Sequence, residues 1–184
     1  MTMRTTVHPL LVALLALVSC AGCTTAPAPF PPAPVGVQDI AIQPPSNQTG
    51  RDLIVDQPGL LASYLGEKRE TVPEVLAGDL RTLLRDRGFR VLAAPAGSVP
   101  TLRTEIRRWD PYSADYSRIT VSLLATLIDP TSGRTLWTAE RSGWHVETPA
   151  ARNGQEASGI AARDVARTLV EGWQPGGSRP TAAP

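Results

Sequence analysis

The sequence predicts an α+β fold: a single two-layer domain with two helices packed on one face of a mainly antiparallel sheet. Three observations carry that expectation. Residues 71–88 spell a capped helix with one apolar face, residues 119–127 alternate strictly, and residues 157–173 repeat apolar groups at helical spacing. Short strand-like runs lie between them, so the order reads β-α-β-β-β-β-α.

The first strand is expected in Val35-Gly36-Val37-Gln38-Asp39-Ile40-Ala41-Ile42, an apolar run bounded by turn formers. Pro44-Pro45-Ser46-Asn47-Gln48-Thr49-Gly50 then breaks it. Asn47-Gln48-Thr49 fits the glycosylation triplet, but a turn is the better reading. In Thr71-Val72-Pro73-Glu74, Thr71 is placed to cap a helix and Glu74 to reach back to its amide. Proline costs nothing in a first turn, where its missing donor has no partner anyway. Val72, Val75, Leu76, Leu80, Leu83 and Leu84 share one face, and Asp79, Arg81, Arg85 and Asp86 the other. Gly88 supplies the left-handed stop, after which Phe89-Arg90-Val91-Leu92 resumes as strand. Residues 102–109 alternate unevenly. Ile119, Val121, Leu123, Ala125 and Leu127 mark a half-buried antiparallel strand. Asp129-Pro130-Thr131-Ser132-Gly133 is a hairpin loop, and residues 134–144 return. Ala157, Ile160, Ala161, Val165, Thr168, Leu169 and Trp173 outline the second helix.

Residues 1–19 stand outside this fold. Arg4 precedes the apolar run 10–18, which is too short to cross a bilayer core as a helix, a task needing about 20 residues. It reads as a secretory leader. Leu17-Val18-Ser19-Cys20 ends it and resembles the lipobox of bacterial lipoproteins; Ala21-Gly22-Cys23 is a second, less regular match. The resemblance implies a covalent lipid on Cys20, with Cys23 as the alternative, cleavage before it, and acylation of the new amine. Several acyl chains, each buried CH₂ contributing about 0.8 kcal/mol, then hold the chain on a membrane. No cysteine follows residue 23, so neither a disulfide nor a thiolate site can be built in the domain. Residues 20–35 read as anchor and proline-rich tether, extended and packing nothing; residues 36–173 form the domain and 174–184 a flexible tail.

Across the 184 residues, 18 basic groups oppose 17 acidic ones for a net charge of +1. That excludes nucleic-acid binding through bulk charge. Catalytic signals are equally thin. His8 lies in the leader, leaving His145 as a lone histidine after a strand, more often a surface residue than a ligand. The single lysine, Lys68, and the absence of Gly-x-Ser-x-Gly leave no nucleophile motif. Asp110 and Asp115 flank a proline turn, where solvation and capping explain them better than acid/base work. No metal or cofactor is expected, and no enzymatic activity.

Two groups of residues suit binding. Leu60, Leu61, Tyr64 and Leu65 would share one face of a short helix within the apolar segment 53–65; core packing is the alternative. Trp109, Tyr112 and Tyr116 cluster around one turn, where they would serve as interface anchors or as the margin of the core. Arg107-Arg108 beside them could meet anionic lipid or polysaccharide, or simply end a strand in solvent.

As a whole the chain resembles small outer-membrane lipoproteins of Gram-negative envelopes. Helix 72–87 followed by Gly88-Phe89-Arg90-Val91, the strand Leu102-Arg103-Thr104-Glu105-Ile106, and Leu127-Ile128-Asp129 are similar to the auxiliary lipoprotein of ABC-type transport. Ile40-Ala41-Ile42 leading to Asn47-Gln48-Thr49-Gly50, and the run from Asp129 to Trp137, resemble the lipopolysaccharide-assembly lipoprotein. The resemblance implies a lipid-anchored accessory subunit on the periplasmic side of the outer membrane. It would bind envelope transport or assembly proteins, and possible cargo is lipid or lipopolysaccharide. Residues 21–25 hold no aspartate, which in the enterobacterial pattern goes with outer-membrane sorting. A lipid-anchored envelope hydrolase is the enzymatic alternative, and it requires His145 in a pocket with carboxylates and a serine.

Overall fold

Strict alternation over 119–127 becomes an interior strand of a sheet. The computed structural model describes residues 30, 31, 34, 36–56, 69–92, 97–111 and 116–176. Its elements are β1 (Asp39–Ile42), β2 (Ser46–Asn47), β3 (Ile54–Asp56), β4 (Glu70–Thr71), α1 (Val72–Asp86), β5 (Arg90–Leu92), β6 (Thr101–Pro111), β7 (Arg118–Ile128), β8 (Thr135–Glu147) and α2 (Gly154–Leu169). The six-stranded sheet runs β5-β1-β6-β7-β8, with β2 also on β6; β3 and β4 make a separate antiparallel ribbon.

The fold is α+β, one domain with two helices against a sheet, but the sheet is mixed. β6, β7 and β8 are antiparallel, as the alternation requires. β1 is parallel to β5 and to β6, and β2 is parallel to β6. The physical reason is the connection. From β1 the chain passes through α1 before β5, and a helical crossover returns a strand in the same direction, which a short hairpin cannot do. The strands β2, β3 and β4 were too short to show a period.

Helix α1 starts and stops as its sequence dictates. The Thr71 amide donates to Glu74 Oε2 at 3.0 Å, and the Thr71 hydroxyl reaches the same oxygen at 2.9 Å. At the other end the Phe89 amide donates to Leu84 O and the Gly88 amide to Arg85 O, with Gly88 at φ +90°. Those are the two bonds of a Schellman stop, and only glycine takes that backbone angle without strain. In α2 the Asn153 side chain caps the amides of Gln155 and Glu156. Helix α2 ends at Leu169 rather than continuing to 173. Trp173 reaches the core instead by a turn through Gly172, at φ +74°.

One face of the sheet is covered. Leu102, Ile106 and Trp109 of β6, the alternating set of β7, and Trp137, Ala139 and Val146 of β8 are buried with Val75, Leu76, Leu80 and Leu84 of α1 and the small face of α2. The uneven pattern in β6 is a bulge: Ile106 pairs with Leu123 and Arg108 with Ser122, leaving Arg107 as the extra residue. Ile106 and Trp109, three positions apart, thereby point to the same side. The opposite face is polar and laced with ion pairs, Arg107 to Glu105 at 3.2 Å and to Glu140 at 2.7 Å, and Arg108 to Asp110 at 2.6 Å.

The ribbon β3–β4 lies against α2 through a glycine. A Cβ on Gly159 would sit 2.8 Å from Val55 Cγ1, and a β-branched side chain on a strand has little room to turn aside. Gly159→Ala in an open helix position would stabilise by up to about 1 kcal/mol. Here it should destabilise by roughly 1–3 kcal/mol through overpacking, read from urea unfolding. The double variant with Val55→Ala should recover most of that loss; a stabilised single variant would show that the close approach is absent.

Candidate binding surface

The most elaborate side-chain arrangement at the margin of the core lies on β8, an edge strand. Its residues opposite Leu127, Leu123 and Val121 are Trp137, Arg141 and Trp144. Residues 137 and 144 are an odd number apart and would face opposite ways on a regular strand. A second bulge turns them to one side: pairing shifts between Val121–Trp144 and Leu123–Arg141, and Gly143, at φ +65°, donates its amide to Ser122 Oγ at 2.9 Å.

Trp137 meets Trp173 edge to face at 4.9 Å, and Trp173 lies 6.3 Å from Phe89. Beyond this cluster, Phe30 packs on Trp144 and Arg141. Phe30 is 9% exposed, its ring T-shaped to that of Trp144 at 5.9 Å and 75°. The Arg141 guanidinium stands 4.1 Å from the Phe30 centroid and 4.9 Å from that of Trp144, the geometry of a cation over aromatic faces. Trp137 Nε1 donates to the Pro31 carbonyl at 3.2 Å. Burial draws the Arg141 pKa below its ordinary value, though a guanidinium stays charged. Phe30 thus departs from the expectation that the proline-rich stretch packs nothing. Burying a phenylalanine ring contributes about 1.5–3 kcal/mol and the ring pair about 0.5–1.5 more, enough to offset ordering two residues. Its signal in the sequence was a lone aromatic among small residues and prolines.

At the other end of the chain, the Gly176 amide donates to Val37 O at 3.0 Å, so residues 174–176 lie on the domain.

Among the residues singled out from sequence, Trp109 is core. It is 1% exposed, and its Nε1 donates to Ser158 Oγ of α2 at 3.2 Å. Tyr116 is half-buried, with a left-handed backbone at φ +54°, its ring against Gly154 and its carbonyl accepting from the Thr148 hydroxyl at 2.6 Å. Cys20, Cys23, Leu60, Leu61, Tyr64, Leu65 and Tyr112 lie outside the described residues, as does Asp115. Leu53 is buried and Val55 packs on α2, which is core packing for that half of the 53–65 segment. Arg107 and Arg108 face carboxylates of their own sheet. Asn47 closes a turn, accepting from the Thr49 amide at 3.0 Å and donating to Arg51 O at 2.7 Å. His145 is exposed on the open face, its Nδ1 3.2 Å from the Thr120 hydroxyl. Among the described residues no three of His, Cys, Asp or Glu gather as metal ligands would.

Hollows also mark the described surface. A groove of about 430 Å³ between α1 and α2 has Leu83 and Ile160 in its lining, with Thr82, Asp79, Arg163, Asp164 and Arg167 around them. Its charges offset one another: Arg163 approaches Asp79 at 4.0 Å and Arg167 pairs with Asp164. A second, of about 570 Å³, lies at the end of the sheet among residues 36–39, 98–100, Asp129, Thr131 and Leu136.

No protein-family model matches the chain, and no curated protein matches it. Solved structures are similar in chain path. Protein XCC0632 of Xanthomonas campestris is 18% identical, over 76% of this chain and 86% of that one, with a TM-score of 0.47. The PelC dodecamer from Paraburkholderia phytofirmans is 17% identical over 80% and 96%, at 0.44. Lipoprotein GNA1162 of Neisseria meningitidis is 16% identical over 63% and 88%, at 0.36. Likeness this distant carries no role across.

Asp110 of the open face supports a test of the ion pairs. Hydrogen bonds from Arg108 and then Arg51 hold its carboxyl below the ordinary value of 3.8. A depressed carboxylate contributes stability that is complete above the ordinary value and is lost as pH falls through the lower, folded one. Asp110→Asn should therefore cost less than about 1 kcal/mol at neutral pH, and the difference should shrink in high salt and vanish well below pH 3.8. A cost that persists in acid would assign Asp110 another role.

Proposed function

We propose that this chain is a lipid-anchored, non-enzymatic accessory subunit of an envelope transport system, with lipid as the transported class, acting by binding protein or lipid from the periplasmic face of the outer membrane. One observation carries the proposal: Leu17-Val18-Ser19-Cys20 directly follows the apolar run 10–18, and both cysteines of the chain fall within residues 20–23. No cysteine follows residue 23, so a thiol in that stretch has no partner in the domain, which supports a role in attachment. Among the described residues no helix is long and apolar enough to cross a membrane.

Binding rather than turnover is supported by where the polar groups stand. The hydrolase alternative needs His145 in a pocket, and its ring is on the open sheet face beside Thr120. Transport is the part of the proposal that comes from resemblance of the strand and helix patterns, and lipopolysaccharide assembly remains its nearest neighbour.

Metabolic labelling with a palmitate analogue in a Gram-negative host tests the anchor. The wild-type chain and Cys23→Ser should take up label, and Cys20→Ser should not; a fully labelled Cys20→Ser would move the anchor to Cys23. Crosslinked membranes should yield transport components with the tagged chain, and recovery of bulk lipid alone would count against the accessory role.

A further inference from the structure

The side chains around Phe30 are more than a neutral resting place for a linker. Each addresses a different part of Phe30 and Pro31. Trp144 meets the ring by its edge at 5.9 Å, Arg141 covers the ring face at 4.1 Å, and Trp137 donates to the carbonyl of the following proline at 3.2 Å. A proline carbonyl is a dependable target for such a donor, because extended proline-rich chain makes no internal hydrogen bonds and leaves its acceptors open. Aromatic slots that read proline-flanked segments use these same elements, a low-entropy ligand and indole donors on a rigid support.

We propose that Trp137, Arg141 and Trp144 form a receptor slot for an extended, proline-flanked phenylalanine, filled in cis by Phe30 and Pro31. The slot is built on β8 and its bulge, so its shape does not depend on the linker. Opening it extends the chain as well. With the slot empty, residue 30 can stand up to roughly 20 Å from Gly36, the extended length of the chain between them. The assignment is independent of lipid attachment and stands or falls on the slot alone.

Indole resonances test it directly. In the full ¹⁵N-labelled chain, Trp137 and Trp109 report different bonds: one to Pro31, the other to Ser158 inside the core. In Phe30→Ala the Trp137 indole signal should shift and its proton should exchange with water about tenfold faster, the factor expected for losing about 1.4 kcal/mol of ring contacts. The Trp109 signal should stay, showing that the fold is intact. A synthetic peptide with the sequence of residues 27–34 should return the Trp137 signal toward its wild-type position in a saturable way. The same peptide with alanine in place of phenylalanine should not. If Trp109 also moves, Phe30→Leu, which keeps apolar burial but has no ring for Arg141 to cover, should give a smaller shift of Trp137 alone. An unmoved Trp137 signal in these variants, or two peptides that act alike, would overturn the proposal.

Discussion

The covered face of the sheet is longer than the helices that cover it, and much of the molecule follows from that mismatch. Strands rise about 3.3 Å per residue and helices 1.5 Å. β8 has 13 residues and α2 has 16, so the strand extends roughly 40 Å against about 24 Å of helix. The surplus apolar surface needs other cover. Trp173 supplies some of it, turning back past the end of α2 onto Trp137. Phe30 supplies more, closing over Trp144. Segments before the first strand and after the last helix are thereby drawn onto the domain by ordinary burial.

The polar groups follow a complementary logic. Arginine provides nearly all the positive charge of the chain, and on the open sheet face it is matched to carboxylates: Arg107 with Glu105 and Glu140, Arg108 and Arg51 with Asp110. Such exposed pairs contribute little to stability. They offset charge locally on that face. Arg141 is placed differently, its guanidinium over the rings of Phe30 and Trp144.

Much of this was legible before any coordinates. Both helices, the long alternating strand and the hairpin loop followed from period and capping, because those signals act over a few neighbouring residues. Parallel pairing of β1 with β5 was not legible: strand direction depends on how the chain crosses over, and a four-residue run carries no mark of it. Bulges hid the rest. Arg107 and Gly143 shift the register by one, so the burial of Trp109 and the common face of Trp137 and Trp144 contradict a strict period of two. Asn153 is a good cap, but the sequence does not mark it as a helix start because no apolar residue follows it for several positions. Phe30 was visible as an odd aromatic in a proline run, yet what it touches lies more than a hundred residues away.

The functional account depends on the chain being held at a membrane by a covalent lipid, and the mature N-terminus decides it. Intact-mass measurement on the chain extracted from membranes should find a polypeptide beginning at Cys20, heavier by a thioether-linked diacylglycerol and an amide-linked acyl chain. A mature chain of unmodified mass, washed free with the periplasmic proteins, would contradict the account.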